Sequence, residues 1–191
     1  LFIADEVMTG WGRTGTRFAC DQAGVIPDIV CLSKGLTGGA IPLAVTLCIE
    51  PIFAAHYSTD RAKTFYHSSS YTANPIACAA ANANLAIWRD EPVQQRIDAL
   101  ADAQAAHLSM LSHDPRVAGA RRLGTIAAFD IVVPDSGYLS TLAPRLIAFH
   151  RDHGVLLRPL GNSVYVMPPY CITPDDLAHV WRTIAASLDA I

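Results

Sequence analysis

The chain has 191 residues, of which 51% are hydrophobic and 16% charged, and its formal net charge is -3. This composition excludes a disordered chain and predicts a packed globular core. The weak charge and the lack of a basic stripe argue against nucleic acid as a partner. The apolar runs are too short for a transmembrane helix, so no membrane partner is expected.

The first half of the sequence predicts short strands followed by long helices. Apolar runs predict strands over 1–7, 29–33 and 43–49. Asn74-Pro75 predicts a helix start, with Asn as the N-cap and Pro at the first helical position. This helix should extend to Trp88, and an amphipathic pattern predicts a second long helix over 91–111.

The second half predicts a smaller α+β unit. Its expected strands cover 123–133, 155–157 and 164–167, and an expected helix covers 139–153. Thr173 should cap a final helix that runs to the C-terminus. We therefore predict two domains, 1–92 and 93–191, with the long helix at the start of the second.

The cysteines and histidines indicate neither a disulfide framework nor a metal site. Five scattered cysteines, without a C-x-x-C pair, are typical of reduced thiols in a cytoplasmic protein. The histidine spacing does not match a metal-ligand motif.

A glycine motif, Gly10 to Gly15, fits the G-x-G-x-x-G pattern of dinucleotide-binding oxidoreductases. Such a loop should open a helix whose N-terminus binds the pyrophosphate. The sequence over 16–27 lacks a long helical period, and two carboxylates precede the loop. The dinucleotide hypothesis therefore stays a weak alternative to a loop rich in turns.

Asp5 lies at the end of one predicted apolar strand, and Lys34 directly follows another. A strand-end acid commonly caps a loop or pairs with an arginine such as Arg13, but it can also hold the proton of a ring nitrogen. A lysine that a strand delivers into a cleft can have a lowered pKa and form a Schiff base. Lys34 is one of only two lysines in the chain, and together the two residues favour a functional site.

Three further stretches carry weaker signals. The hydroxyls and amides of 67–71 could accept a phosphate, although serine clusters usually form ordinary loops. Arg158 could bind a substrate carboxylate, although surface arginines are common. The run 165–170 is typical of an edge strand that ends at prolines.

The motifs at 3–7, 10–15 and 32–35 resemble, in this order, the class III pyridoxal-phosphate aminotransferases. The resemblance implies the α/β fold of the type I (aspartate aminotransferase-like) transferases. The chain would supply the C-terminal part of that fold: a remnant of the three-layer αβα large domain that binds the cofactor, and a small α+β C-terminal domain. The stretches 67–75, 158–162 and 164–170 resemble one subfamily of this class more closely.

The resemblance assigns four residues to the cofactor, pyridoxal 5'-phosphate. Lys34 would form the Schiff base and move the proton, which makes it the expected catalytic residue. Asp5 would pair with the pyridine nitrogen. Ser69 and Ser70 would bind the phosphate from the partner subunit of a homodimer with shared active sites.

Three residues would contact the small-molecule substrates, an amino donor and a keto acid. Ser68 would line the pocket, Arg158 would bind a carboxylate, and Tyr165 would lie near the donor. Many relatives carry Gly in place of Ser68, so the larger side chain of serine is expected to affect how the substrate fits the pocket. Another class III enzyme, acting on an ω-amino acid or a diamine, is the alternative within the family.

The beginning of the sequence lacks parts that the family's site would need. The chain starts Leu1-Phe2-Ile3-Ala4, without an initiator Met or a signal-peptide pattern. The glycine and serine phosphate cup and the aromatic residue that stacks on the ring have no counterpart. We therefore expect this sequence to lack an N-terminal part, and a non-catalytic fragment is a third hypothesis.

Overall fold

Contacts within the chain divide it into two units, Leu1–Gln94 and Gln95–Ile191. The structure, a computed structural model, describes residues 1–67 and 69–190. Within these residues each unit contains a three-stranded sheet, and no helix has both the length and the apolar character needed to cross a membrane.

The first unit is built on a mixed sheet with strand order β1-β2-β3. Its strands are β1 (Ile3–Asp5), β2 (Ile29–Leu32) and β3 (Val45–Cys48). β1 and β2 are parallel, whereas β2 and β3 are antiparallel. The helices are α1 (Ala19–Ala23), α2 (Glu50–His56) and α3 (Pro75–Asp90), and short 3-10 turns cover Lys34–Thr37 and Arg61–Lys63.

The start of α3 is where the sequence predicted it. The Asn74 side chain accepts hydrogen bonds from the N–H groups of Ile76 and Ala77, and Pro75 opens the helix. An N-cap of this kind satisfies amides that have no partner within the helix. The short helices α1 and α2 were not predicted, because neither is long enough to show a helical period.

The second unit packs three helices with an antiparallel sheet of order β4-β5-β6. The strands are β4 (Val117–Leu123), β5 (Ile126–Ile131) and β6 (Ser163–Val166). The helices are α4 (Val93–Leu111), which begins just before the boundary, α5 (Leu142–Asp152) and α6 (Pro174–Asp189). As predicted, Thr173 caps α6, since its side chain accepts the N–H of Asp176.

The core of the second unit follows the two-residue period of its strands. Burial alternates along β5 and β6, so Ala127, Phe129 and Ile131 share one face with Val164 and Val166. This face belongs to one apolar cluster with residues of α5 and α6, among them Leu146, Trp181 and Ile184.

One predicted strand of the second unit has the wrong bounds, and another is wrong. The strand expected over 123–133 is formed as β5 over Ile126–Ile131, but Leu123 already belongs to β4, because Gly124, with φ +55°, and Thr125 turn the chain between the two strands. The strand expected over 155–157 is not formed. Val155 is instead the buried residue that follows the end of α5, and its N–H donates to the carbonyl of His150.

Candidate active site

Asp5 and Lys34 lie at the carboxyl ends of neighbouring parallel strands. Asp5 is the last residue of β1 and lies in register with Cys31 on β2. Lys34 comes two residues after the end of β2 and begins the 3-10 turn. Because the carboxyl ends of parallel strands meet at one edge of a sheet, both residues belong to the edge where α/β proteins bind their ligands.

The Asp5 side chain is exposed at this edge. Its Oδ1 accepts the N–H of Val7 at 3.0 Å. This hydrogen bond orients the carboxylate and leaves its second oxygen available for another donor.

The neighbouring acid, Glu6, has a different environment. Glu6 is only 2% exposed and accepts hydrogen bonds from the Thr9 hydroxyl and from the N–H groups of Ala19 and Cys20, the latter two at 3.0 and 2.8 Å. Burial raises the pKa of the Glu6 carboxyl, but these hydrogen bonds together lower the pKa by more. Glu6 therefore anchors the loop between β1 and α1, and Asp5 is the acid exposed to a ligand.

Lys34 adopts a backbone conformation that is unusual for a residue with a side chain. Its φ is +44°, in the left-handed region, which costs about 1–2 kcal/mol for a residue with a Cβ. The turn closes with hydrogen bonds from the N–H of Gly38 to Gly35 and from the N–H of Gly39 to Lys34. The Lys34 side chain is exposed.

Two hydroxyl groups fix the chain on either side of Lys34. Ser33 Oγ donates to the carbonyl of Leu43 at 2.7 Å, and Thr37 Oγ1 donates to the carbonyl of Ile41 at 2.6 Å. They tie the turn to the segment that leads into β3. The glycine-rich segment is therefore an ordered support for the lysine.

The loop over 10–15 does not have the form of a dinucleotide site. Gly12 and Gly15 have φ of +89° and +102°, as a sequence of turns requires. Helix α1 begins four residues after Gly15 and has only five residues. The loop does not lead directly into a helix N-terminus, which speaks against the dinucleotide alternative.

The predicted phosphate-binding serines lie in the loop before α3. Ser69 and Ser70 are exposed, and Ser69 Oγ accepts the N–H of Tyr71 at 3.4 Å. Ser68 lies outside the described residues. The first unit thus contains both the strand-end pair and the serine loop.

Arg158 and Tyr165, the predicted substrate residues, lie in the second unit. Arg158 is exposed in the segment between α5 and β6. Tyr165 is half-buried on β6, between the buried residues Val164 and Val166. Since side chains alternate along a strand, Tyr165 lies on the sheet face away from the core of that unit.

Two residues that contact the Lys34 turn were missed from the sequence. Asn84 donates from Nδ2 to the carbonyls of Gly35 and Leu36 at 2.8 and 3.2 Å. Trp11 packs against the backbone of Gly35. Asn84 lies on the same stripe of α3 as the buried residues Ala77 and Ala81, and that spacing is the signal that could have indicated it.

A comparison against known families identifies the family of this chain. The aminotransferase class-III family matches residues 1–188, so the chain belongs to this family. The resemblance stated from the motifs is thereby confirmed, and so is the α/β fold expected from it.

Particular relatives refine the comparison. The chain is 48% identical over 191 residues to an adenosylmethionine-8-amino-7-oxononanoate aminotransferase of Synechococcus elongatus, covering 100% of this chain and 45% of that protein. A crystal structure of the enzyme of that name from Methanocaldococcus jannaschii has a TM-score of 0.88 at 32% identity and covers 97% of this chain and 46% of its own. The ω-transaminase of Pseudomonas jessenii in complex with PMP has a TM-score of 0.89 at 29% identity, covering 98% and 43%. The chain therefore spans less than half the length of these relatives.

Proposed function

We propose that the whole protein is a pyridoxal-phosphate-dependent aminotransferase that transfers an amino group between small molecules. The observation that carries this proposal is the placement of an amine and a carboxylate, Lys34 and Asp5, at the carboxyl ends of two neighbouring parallel strands. An amine suits the cofactor's aldehyde carbon, a carboxylate suits its ring nitrogen, and hydroxyls suit its phosphate. The residues present therefore fit pyridoxal phosphate.

Asp5 and Lys34 would have separate roles in the reaction. When bound, the cofactor supplies an electron-withdrawing ring next to the carbon that carries the amino group. The Asp5 carboxylate would keep the proton on the ring nitrogen, because a nearby anion favours the charged form. The Lys34 amine would bind the cofactor at rest and, once displaced by the donor, would take the proton from the donor's α-carbon.

The substrates follow from the relatives. We propose transfer from S-adenosylmethionine to 7-keto-8-aminopelargonate, giving 7,8-diaminopelargonate, a step of biotin biosynthesis. Support comes from the names of the relatives from Synechococcus elongatus and Nitratidesulfovibrio vulgaris, which are 48% and 38% identical. In this proposal Arg158 binds a substrate carboxylate through its planar guanidinium, Ser68 lines the pocket and Tyr165 lies near the donor.

A second candidate is transamination of an ω-amino acid or a diamine. The similarity to ω-transaminase structures, at 29–32% identity, favours it. A panel of amino donors separates the two candidates. Preference for S-adenosylmethionine supports the first, and preference for alanine or a diamine supports the second.

The proposed assembly is a homodimer in which Ser69 and Ser70 bind the phosphate of the partner subunit's cofactor. Their exposure in this chain leaves them accessible to a second copy. We also infer a cytoplasmic location, because the five cysteines form no disulfide.

The test is Lys34→Ala in the whole protein, with Lys63→Ala as the matched control. The first substitution should abolish both turnover and the visible absorbance of the covalently bound cofactor. The control removes an exposed lysine from the turn over 61–63 and should leave both unchanged. Full turnover by the Lys34→Ala protein would refute the proposed role of the lysine.

A further inference from the structure

The strained backbone of Lys34 needs neighbours that hold it. A residue with a side chain keeps a positive φ, here +44°, only where the surrounding structure imposes it. The backbone hydrogen bonds of the turn come from the N–H groups of Leu36, Gly38 and Gly39, and the two glycines themselves adopt positive φ. Besides the bonds that the Ser33 and Thr37 hydroxyls make to the segment before β3, two side chains from other parts of the first unit contact the turn.

The first outside contact is the indole of Trp11. A Cβ placed on Gly35 would lie 2.6 Å from Trp11 Cβ and 2.8 Å from Cγ, so the tryptophan lies directly against the backbone of residue 35. Trp11 is itself fixed, since it is buried and packs edge-on against Phe18 and Trp88, with ring centroids 5.9 and 5.8 Å apart. It therefore restricts movement of the turn on one side.

The second outside contact is the Asn84 amide on α3. Its Nδ2 donates to the carbonyls of Gly35 and Leu36, which are the two residues directly after Lys34. One amide therefore fixes two successive peptide units. The Gly35 carbonyl that Asn84 binds is also the one that accepts the N–H of Gly38.

We propose that Trp11 and Asn84 are positioning residues for Lys34. Trp11 blocks the space beside Gly35, and Asn84 holds the next two carbonyls, so together they keep Lys34 in the left-handed conformation. That conformation determines where the lysine side chain leaves the backbone. The inference rests on the proposed function for the reactivity of the amine, but the restraint on the turn is independent of any cofactor.

The decisive experiment is Asn84→Asp in the whole protein without added cofactor, with Asn82→Asp as the matched control. A carboxylate at position 84 cannot donate to the two carbonyls. Asn82 is exposed on the same helix, so its substitution makes the same chemical change away from the turn. Hydrogen exchange of the peptide that covers 36–39 should become about tenfold faster in Asn84→Asp and stay unchanged in the control. Equal exchange in the two variants would overturn the proposal.

A second pair guards against general unfolding. Asn84→Ala removes the donor without adding charge and suits an alanine-rich helix, and Asn82→Ala is its control. Exchange should rise in the 36–39 peptide of Asn84→Ala and remain slow in peptides from β2. Uniformly faster exchange over the first unit would show a merely structural role and refute the positioning role.

The contact between Trp11 and Gly35 is tested by a double substitution. Gly35→Ala should speed exchange over 36–39 by about tenfold, because its Cβ meets the indole. Trp11→Gly removes the clashing atoms, and glycine accepts the φ of +61° at position 11. The double variant should exchange more slowly than the product of the two single effects predicts, whereas effects that multiply would refute a direct contact.

Measurements of kcat and KM test whether the restraint on the Lys34 turn affects the reaction. In Asn84→Ala, kcat should fall about tenfold while KM for the amino donor changes less than about twofold, because the base is misplaced but the binding groups are not. An unchanged kcat would refute the positioning role. A wild-type protein without any transaminase activity would refute the proposed function instead, and the exchange results would still report on the turn.

Discussion

The Glu6 carboxylate accepts the backbone N–H of Cys20 at 2.8 Å. This hydrogen bond joins the residue after β1 to the first turn of α1 across a loop of twelve residues that includes Trp11. A buried acid thus organises the chain beside the acid proposed to bind the cofactor. Burial also distinguishes Glu6 from Asp5, two carboxylates that are adjacent in the sequence: Glu6 is buried and Asp5 is exposed.

We expect Glu6→Gln to lower the free energy of unfolding by about 1–3 kcal/mol, because a neutral amide accepts these hydrogen bonds less strongly. Since the pKa of Glu6 is lower in the folded protein than its ordinary value of 4.5, its contribution is complete above that pH and is lost as the pH falls through the folded pKa. Urea unfolding between pH 3 and 7 should therefore show a flatter acid limb in the variant. Glu50→Gln, at an exposed position, is the control.

Gly161 and Gly154 offer a matched comparison of a close contact and open space. Both have positive φ, +62° and +74°. A Cβ on Gly161 would lie 1.8 Å from the carbonyl oxygen of Gly137, whereas a Cβ on Gly154 would meet nothing within 4 Å. Gly161→Ala should lower the melting temperature clearly more than Gly154→Ala, since only the first adds a backbone clash to the conformational strain. Equal losses would contradict the contact with Gly137.

Gln104 connects three parts of the second unit from a fully buried position. Its Nε2 donates to the carbonyls of Thr125 and Val166, and its Oε1 accepts Trp181 Nε1 at 2.9 Å. Gln104→Leu removes all three hydrogen bonds and should cost about 2–4 kcal/mol of unfolding free energy.

The control for this prediction is Gln95→Leu, the same change at an exposed position of α4. It should change stability by less than about 0.5 kcal/mol. Chemical denaturation followed by tryptophan fluorescence measures both variants. A loss no larger for Gln104→Leu than for the control would show that the buried amide does not stabilise the unit.

Local chemistry accounts for what the sequence predicted correctly. The N-caps at Asn74 and Thr173 depend on neighbouring residues alone. The hairpin over 117–131 was missed because its turn is short and Arg121 and Arg122 interrupt the apolar pattern of β4. The apolar run over 155–157 was misassigned because a buried connection and a short strand have the same composition.

In the candidate site, too, the sequence predicted what depends on local chemistry and missed what depends on packing. Asp5 and Lys34 could be selected because strand ends are visible in a sequence and their chemistry is distinctive. The contacts of Trp11 and Asn84 with Gly35 join residues distant in the sequence. Only packing brings these residues together, so composition and spacing do not specify the contacts.

The role proposed for Asp5 predicts a specific rescue. Asp5→Asn in the whole protein should reduce kcat by a factor of about 100 or more, because a neutral amide does not hold the proton on a pyridine nitrogen. Asp28→Asn is the control for stability, since Asp28 accepts the N–H of Phe2 at the other end of the same strand pair. A cofactor analogue methylated on the ring nitrogen carries its positive charge without Asp5 and should restore part of the lost kcat. If the analogue leaves the Asp5→Asn protein as slow as before, or if the variant keeps full activity with the natural cofactor, Asp5 does not act on the ring nitrogen.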